Sequence, residues 1–174
     1  MKKYIFLLLI IVTALGTSSC SSLSIKSDYD HMVNFSQYKA YEIRSNVSGL
    51  NDIDKSRVIN AVKQQLEAKG MNESKSPDVV ITLKETTEKI SNVETVSSGG
   101  WGWRNTGFSD TTVNTYDQGT LIVNFIDAHN QQVVWEGIGS GLNVDNVKAK
   151  AKQIPIIIEK LLTNYPPGQS DRKK

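Results

Sequence analysis

Gly119-Thr-Leu-Ile-Val-Asn-Phe-Ile126, then Asp127-Ala-His-Asn-Gln131, then Gln132-Val-Val-Trp-Glu-Gly-Ile138 reads as strand, turn, strand. On a period-two backbone Leu121, Val123 and Phe125 share one face, and Ile122 and Ile126 share the other. Burial on both sides of this central strand is expected. The turn rich in Asp and Asn sends the chain back, so the second apolar run is expected to be the antiparallel partner of the first. Trp135 alternates within that run and reads as a core residue rather than a ligand platform.

Upstream, Pro77 opens another strand, with Val79, Ile81 and Leu83 alternating against Val80, Thr82 and Lys84, and the Thr- and Ser-rich run continues to about Ser97. Residues 98–110, SGGWGWRNTGFSD, have neither a helical nor a strand period and read as a loop. Ahead of Pro77 lies a helix. Asn51 or Asp52 can cap it, Val58, Ile59, Val62 and Leu66 form its apolar stripe, and Gly70 supplies a left-handed stop that packs Met71 back on Leu66. Short strands around Asp28–Asp30 and Lys39–Ile43 flank a turn at Phe35–Tyr38. The last helix starts near Asp145 and places Val147, Ala151, Ile154, Ile158, Leu161, Leu162 and Tyr165 on a 3.6-residue period. Pro155 interrupts it, so a kink or two shorter helices is expected there. The order is β-β-α-β-β-β-α: an α+β domain in which an antiparallel sheet of four to five strands carries two helices on one face.

The N-terminus carries an address. Met1-Lys2-Lys3 and the apolar run Ile5–Leu15 have the basic and hydrophobic regions of an export signal. Eleven residues as a helix span roughly 16 Å, about half of a ~30 Å hydrocarbon core, so a permanent span is not expected. Thr17-Ser18-Ser19 then lead into Cys20, the one cysteine of the chain, in the manner of a relaxed bacterial lipobox whose thiol is acylated. This divides the chain into a signal peptide (1–19), a lipidated tether (20–27), a single domain (28–167) and a disordered polar tail (168–174). No aspartate follows Cys20 directly, and no acidic cluster stands behind it, which points to the outer membrane and its periplasmic face. Without residues 1–19 the 174-residue chain would be 155 residues long, and loss of Lys2 and Lys3 would turn 20 basic against 18 acidic residues into 18 of each. A neutral domain lacks the basic surplus that a dedicated nucleic-acid binder needs.

Several spaced features coincide with one family: Tyr29-Asp30 ahead of Phe35-x-x-Tyr38-x-x-Tyr41, Lys69-Gly70, Pro77-Asp78, Gly100-Trp-Gly-Trp103, Gly119-Thr-Leu-Ile122, Asp127, Val134-Trp-Glu-Gly137 and Tyr165-Pro-Pro167. Over roughly residues 27–167 the chain resembles the domain-of-unknown-function 4136 family of bacterial envelope lipoproteins. The resemblance implies a compartment and a fold, and no activity.

The chemical inventory is sparse. His31 and His129 stand alone without metal-ligand spacing, and Cys20 is consumed by lipid, so no metal or cofactor is expected. Asp110, Asp117 and Asp127 would serve an envelope hydrolase if gathered near one sheet end, although turn roles explain Asp110 and Asp127 equally well. Gly137-Ile-Gly-Ser-Gly141 does not lead into a helix at phosphate-binding spacing and reads as a bulge or strand end. The candidate binding residues are Trp101, Trp103, Arg104 and Phe108. Large aromatics on a glycine-rich loop either fold back over the sheet or meet a glycan, a protein or the lipid interface. The sequence thus points to a non-enzymatic binding or assembly module, held to the membrane through Cys20 and meeting an envelope protein or glycan.

Overall fold

The computed structural model describes residues 23–97 and 109–167. In chain order these form β1 (Ser24–Tyr29), a 3-10 turn (Phe35–Gln37), β2 (Ala40–Ser48), α1 (Asp52–Ala68), β3 (Asn72–Glu73), β4 (Val79–Ser97), β5 (Ser109–Asp127), β6 (Val133–Asn143) and α2 (Val147–Thr163). The fold is α+β, with two helices and a six-stranded mixed sheet in the order β1-β6-β5-β4-β2-β3.

The expected all-antiparallel sheet of four to five strands is corrected in two respects. First, β2 and β4 are parallel, with Tyr41 opposite Val79 and Ile43 opposite Ile81. The reason is the helix between them. Helix α1 carries the chain back along its own length, so the next strand starts at the same end as the last. Second, β3 adds two residues beside Ala40 and Tyr41, too short a segment to show any period. A further correction concerns the tether, because Ser24–Ser27 lie within β1, paired with Ser140–Gly137 of β6, and Ile25 packs against the core.

Helix α1 is built as its sequence suggests. The Asn51 side chain accepts from Asp54 N–H, satisfying one of the open donors at the first turn. At the other end Met71 N–H donates to Leu66 C=O and Gly70 N–H to Glu67 C=O, with Gly70 at φ +79°, which is a Schellman ending. Helix α2 runs through Pro155 as one element. Pro155 is exposed, and the carbonyl it leaves without a helical donor is that of Ala151, which is half-buried.

Odd-numbered residues of β4 and β5 face the helices. Val79, Ile81, Leu83, Leu121, Val123 and Phe125 form one buried cluster with Trp135, Leu66 and Ile158. Two glycines let α2 approach. A Cβ on Gly137 would meet the Trp135 ring and Leu161, and one on Gly139 would meet Ile157. Gly141, at φ +100°, sits in the bulge where the β5–β6 register slips between Gly119 and Thr120. The Gly137–Gly141 repeat is therefore a seat for a helix and a bulge. On the opposite face Val80 is buried, while Ile122, Ile126 and Ile138 are half-buried.

Candidate functional site

Strands β4 and β5, of 19 residues each, outrun the rest of the sheet. β2 accompanies β4 only as far as Lys84, and β6 accompanies β5 only from Gln118. Asp117 is still held, its N–H donating to Asp145 Oδ2 at 2.8 Å. Beyond it, eight residue pairs from Ile90–Tyr116 to Ser97–Ser109 have no third strand on either side among the described residues. At ~3.3 Å per residue this two-stranded arm is roughly 27 Å long.

The candidate binding residues Trp101, Trp103, Arg104 and Phe108 belong to the segment joining the two arm strands and lie outside the described residues, as does Cys20. The chain after Cys20 enters the fold at the arm's end of the sheet: Ser24 pairs with Ser140, which in turn pairs with Thr120.

Asp110, Asp117 and Asp127 are not brought together. All three stand on β5, seven and ten residues apart. That spacing corresponds to roughly 23 Å and 33 Å along the strand, far beyond the reach of an acid/base pair. The expected gathering fails because residues 109–117, read in part as loop, continue the strand. Asp127 does what a turn aspartate does, its Oδ1 accepting from the His129 and Asn130 N–H groups at 2.8 and 3.1 Å. Its other oxygen accepts from Tyr38 Oη at 2.7 Å, a partner 89 residues away. Burial alone would raise the Asp127 pKa, but the Tyr38 bond and the two backbone donors outweigh it and hold the carboxylate ionised. Burial, with the Asp127 bond, pushes the Tyr38 hydroxyl up to about 12. Among the described residues no group of three His, Cys, Asp or Glu side chains is placed to hold a metal.

At the arm's base a charged cluster ties the two helix N-termini together. Asp54, almost fully buried, accepts from Arg57 Nη1 and pairs with Lys150 Nζ, each at 2.6 Å, and from Asn51 Nδ2 at 2.7 Å. Burial works against its charge, yet these three donors lower its pKa. Glu85, on β4 beneath the cluster, is also buried, but its Oε1 has no partner, and burial raises its pKa despite the nearby Lys150.

The opposite end of the sheet holds a cavity of about 390 Å³ lined by Phe35, Tyr38, Lys39, Lys69, Met71 and Tyr165, with small neutral residues filling the rest. Three separate segments build it. Asn34 caps the 3-10 turn that presents Phe35, and Asp78 Oδ2 accepts from Lys39 and Ala40 N–H, both at 2.8 Å, fixing the start of β2. The Schellman ending of α1 sets Lys69 and Met71. Tyr165, just past α2, stacks on Phe125 with ring centroids 4.3 Å apart and meets Phe35 edge-on at 5.9 Å. Sequence reasoning did not single out this cavity. Its signal was present: Phe35-x-x-Tyr38, Lys69-Gly70, Asp127 and Tyr165-Pro166 are motif positions far apart in the chain that converge here.

A family model described as "Domain of unknown function (DUF4136)" matches residues 25–167, and the chain belongs to that family. A search of curated proteins finds no match. Among solved structures, a PDZ domain protein from Parabacteroides distasonis is similar at 13% identity and a TM-score of 0.55 over 83% of this chain, and this chain spans only 36% of that one. The PelC dodecamer from Paraburkholderia phytofirmans is similar at 12% identity and a TM-score of 0.50, covering 81% of this chain and 95% of that chain. At such identities the likeness is one of fold.

Proposed function

We propose that this member of the DUF4136 family is a lipoprotein of the bacterial outer membrane, anchored through acylated Cys20 and facing the periplasm. It works as a non-enzymatic binding or assembly module. Its contact element is the β4–β5 arm, with Trp101, Trp103, Arg104 and Phe108 on the segment that joins the arm strands. The observation carrying this reading is the arm itself: eight strand pairs whose two edges have no neighbouring strand among the described residues, extending from the end of the sheet where Ser24 begins. An isolated two-stranded ribbon is at best marginally stable in water, so one this long is better accounted for by a role in contact than by a role in the core.

Anchor and arm leave the same end. Ser24 stands four positions after Cys20, a reach of at most ~14 Å, whereas the arm extends roughly 27 Å. The arm's far end therefore works in the layer next to the membrane that holds the lipid, and a protein or glycan met there is the expected partner. Trp and Arg suit that task, being the side chains most often found at the energetic centre of contacts.

The test is photo-crosslinking in intact cells from a benzophenone residue at position 103 of the full chain. A discrete adduct that disappears on Trp101→Ala, with the unfolding midpoint unchanged, supports the reading. Loss of midpoint on that substitution would make the tryptophans packing residues and remove the reading's specific contacts.

A further inference from the structure

Resting on the Cys20 anchor proposed above, we propose that the outer face of α2 docks on an anionic lipid surface and holds the domain side-on to the membrane. Lys148, Lys152, Ile156 and Lys160 run along that face, with Val147 at its head.

The tether limits how the domain can sit. Leu23 already packs against the core and stands three positions after Cys20, so the domain is held within roughly 11 Å of the acylated residue. The two-stranded arm leaves the same end of the sheet and is roughly 27 Å long. Strands standing upright on this end would drive the arm into hydrocarbon, where backbone edges without a partner strand are not tolerated. The strands therefore lie oblique to the membrane, and a side of the domain faces the lipid.

Charge selects the side. Helix α2 lies beside the tether's strand, since a Cβ on Gly139 would meet both Ile157 of α2 and Ile25 of β1. The exposed charged residues of α2 are Lys148, Lys152 and Lys160 against Glu159 alone. None of these three lysines is in an ion pair among the described residues, whereas the half-buried Lys150 is engaged by Asp54. On α1 the exposed charged residues are Asp52 and Glu67. The helix-free face of the sheet balances Lys26, Arg44 and Lys84 against Asp28, Glu42 and Glu136. Of these three surfaces only that of α2 offers lipid phosphates a cationic surplus.

The same face carries apolar side chains that the fold leaves uncovered. Val147 is 65% exposed and Ile156 42%. Ile53, at the start of α1, lines one groove with Val147 and widens the apolar patch. Lys148, Lys152, Ile156 and Lys160 recur at every fourth position and so follow one another along about 18 Å of helix. Lysines flanking an apolar side chain suit the boundary between headgroups and acyl chains, because the stem covers apolar surface while the ammonium meets phosphate.

The experiment uses the acylated full chain in phosphatidylglycerol nanodiscs. Cys20 is blocked by its lipid, so a cysteine introduced at the surface takes a nitrobenzoxadiazole label selectively. Ile156→Cys reports from α2, and Asn60→Cys, exposed on α1, is the comparison. The label at position 156 should emit to the blue and be quenched by doxyl-labelled lipid, while that at position 60 stays in water. A lysine near an anionic surface is worth roughly a fivefold preference, so Lys148→Gln, Lys152→Gln and Lys160→Gln together should lower the docked-to-free ratio about a hundredfold. Position 156 should then return to water with the chain still on the disc and its near-ultraviolet circular dichroism unchanged. Discs of phosphatidylcholine should have the same effect on the unsubstituted stripe. A chain that leaves the discs would overturn the anchor and this proposal with it. A chain that stays on the discs with position 156 in water, with position 60 quenched equally, or with quenching unchanged in the triple variant would overturn the docking face alone.

Discussion

Gly137→Ala tests how α2 is seated on the sheet. The added methyl would meet Trp135 Cη2, would lie 2.9 Å from Trp135 Cζ3 and 3.0 Å from Leu161 Cδ2, and has open space on none of those sides. Carbon atoms in good contact sit ~3.5–4.0 Å apart, so something must give by half an ångström or more. The indole is poorly able to yield, being 1% exposed with its centroid 5.0 Å from that of Phe125 and 5.6 Å from that of Tyr165. The strain therefore falls on the packed Trp135 ring first and on α2 at Leu161 beside it. Overpacking of this kind typically costs ~1–3 kcal/mol, and at ~3–4 °C per kcal/mol for a domain of this size the midpoint should fall by roughly 3–12 °C. Thermal unfolding followed by circular dichroism measures it, and the near-ultraviolet band should change because Trp135 moves. Gly70→Ala is the matched comparison. Nothing lies within 4 Å of its added Cβ, and φ is +79°, so its cost is backbone strain of ~1–2 kcal/mol with the aromatic signal untouched. A Gly137→Ala chain with unchanged midpoint and unchanged near-ultraviolet band would show that α2 does not rest on β6 as described.

Phe125→Ala removes a fully buried ring that touches Trp135 and Tyr165, and should cost ~3–5 kcal/mol, enough to unfold the domain or nearly so in a denaturant titration. Cys20→Ala should abolish incorporation of a fatty-acid probe, and equal labelling of the variant would remove the anchor from the account. Glu85→Gln should raise the unfolding midpoint at pH 7.5, because burial lifts the folded-state pKa of Glu85 above its unfolded value and its ionisation opposes folding. The stability that the protonated acid gives is complete below the unfolded pKa of ~4.3 and is lost as pH rises through the folded value, so the gain should vanish near pH 4. Equal midpoints at pH 7.5 would place the Glu85 carboxylate in water.

Much of the core was legible because its signals are local. The Asn51 cap, the Gly70–Met71 ending and the odd-numbered face of β5 each depend on residues a few positions apart, and each is found as read. Pairing direction and strand length depend on distant partners. Nothing within β2 or β4 says that they run parallel, and Ser109 and Asp110, adjoining the glycine-rich segment, show no period of their own, so they were read as loop although they open β5. The cavity was missed for a related reason. Phe35, Lys69 and Tyr165 acquire a common role only when α1 turns at Gly70 and α2 ends beside Phe125.

On the function proposed above, the arm is an element of contact that the fold can do without. Lys89 and Asp117 face each other across the hairpin, so Ile90–Tyr116 can be replaced by an Asn-Gly turn joining them. Blue native electrophoresis of envelope extracts, run on the intact and arm-less chains, measures the size of the assembly each one enters. The arm-less chain is expected to keep its stability within ~1 kcal/mol, the range of substitutions outside the core, and to migrate as the free protein while the intact chain migrates in a larger species. An arm-less chain that still enters the larger species, or that fails to fold, would contradict it.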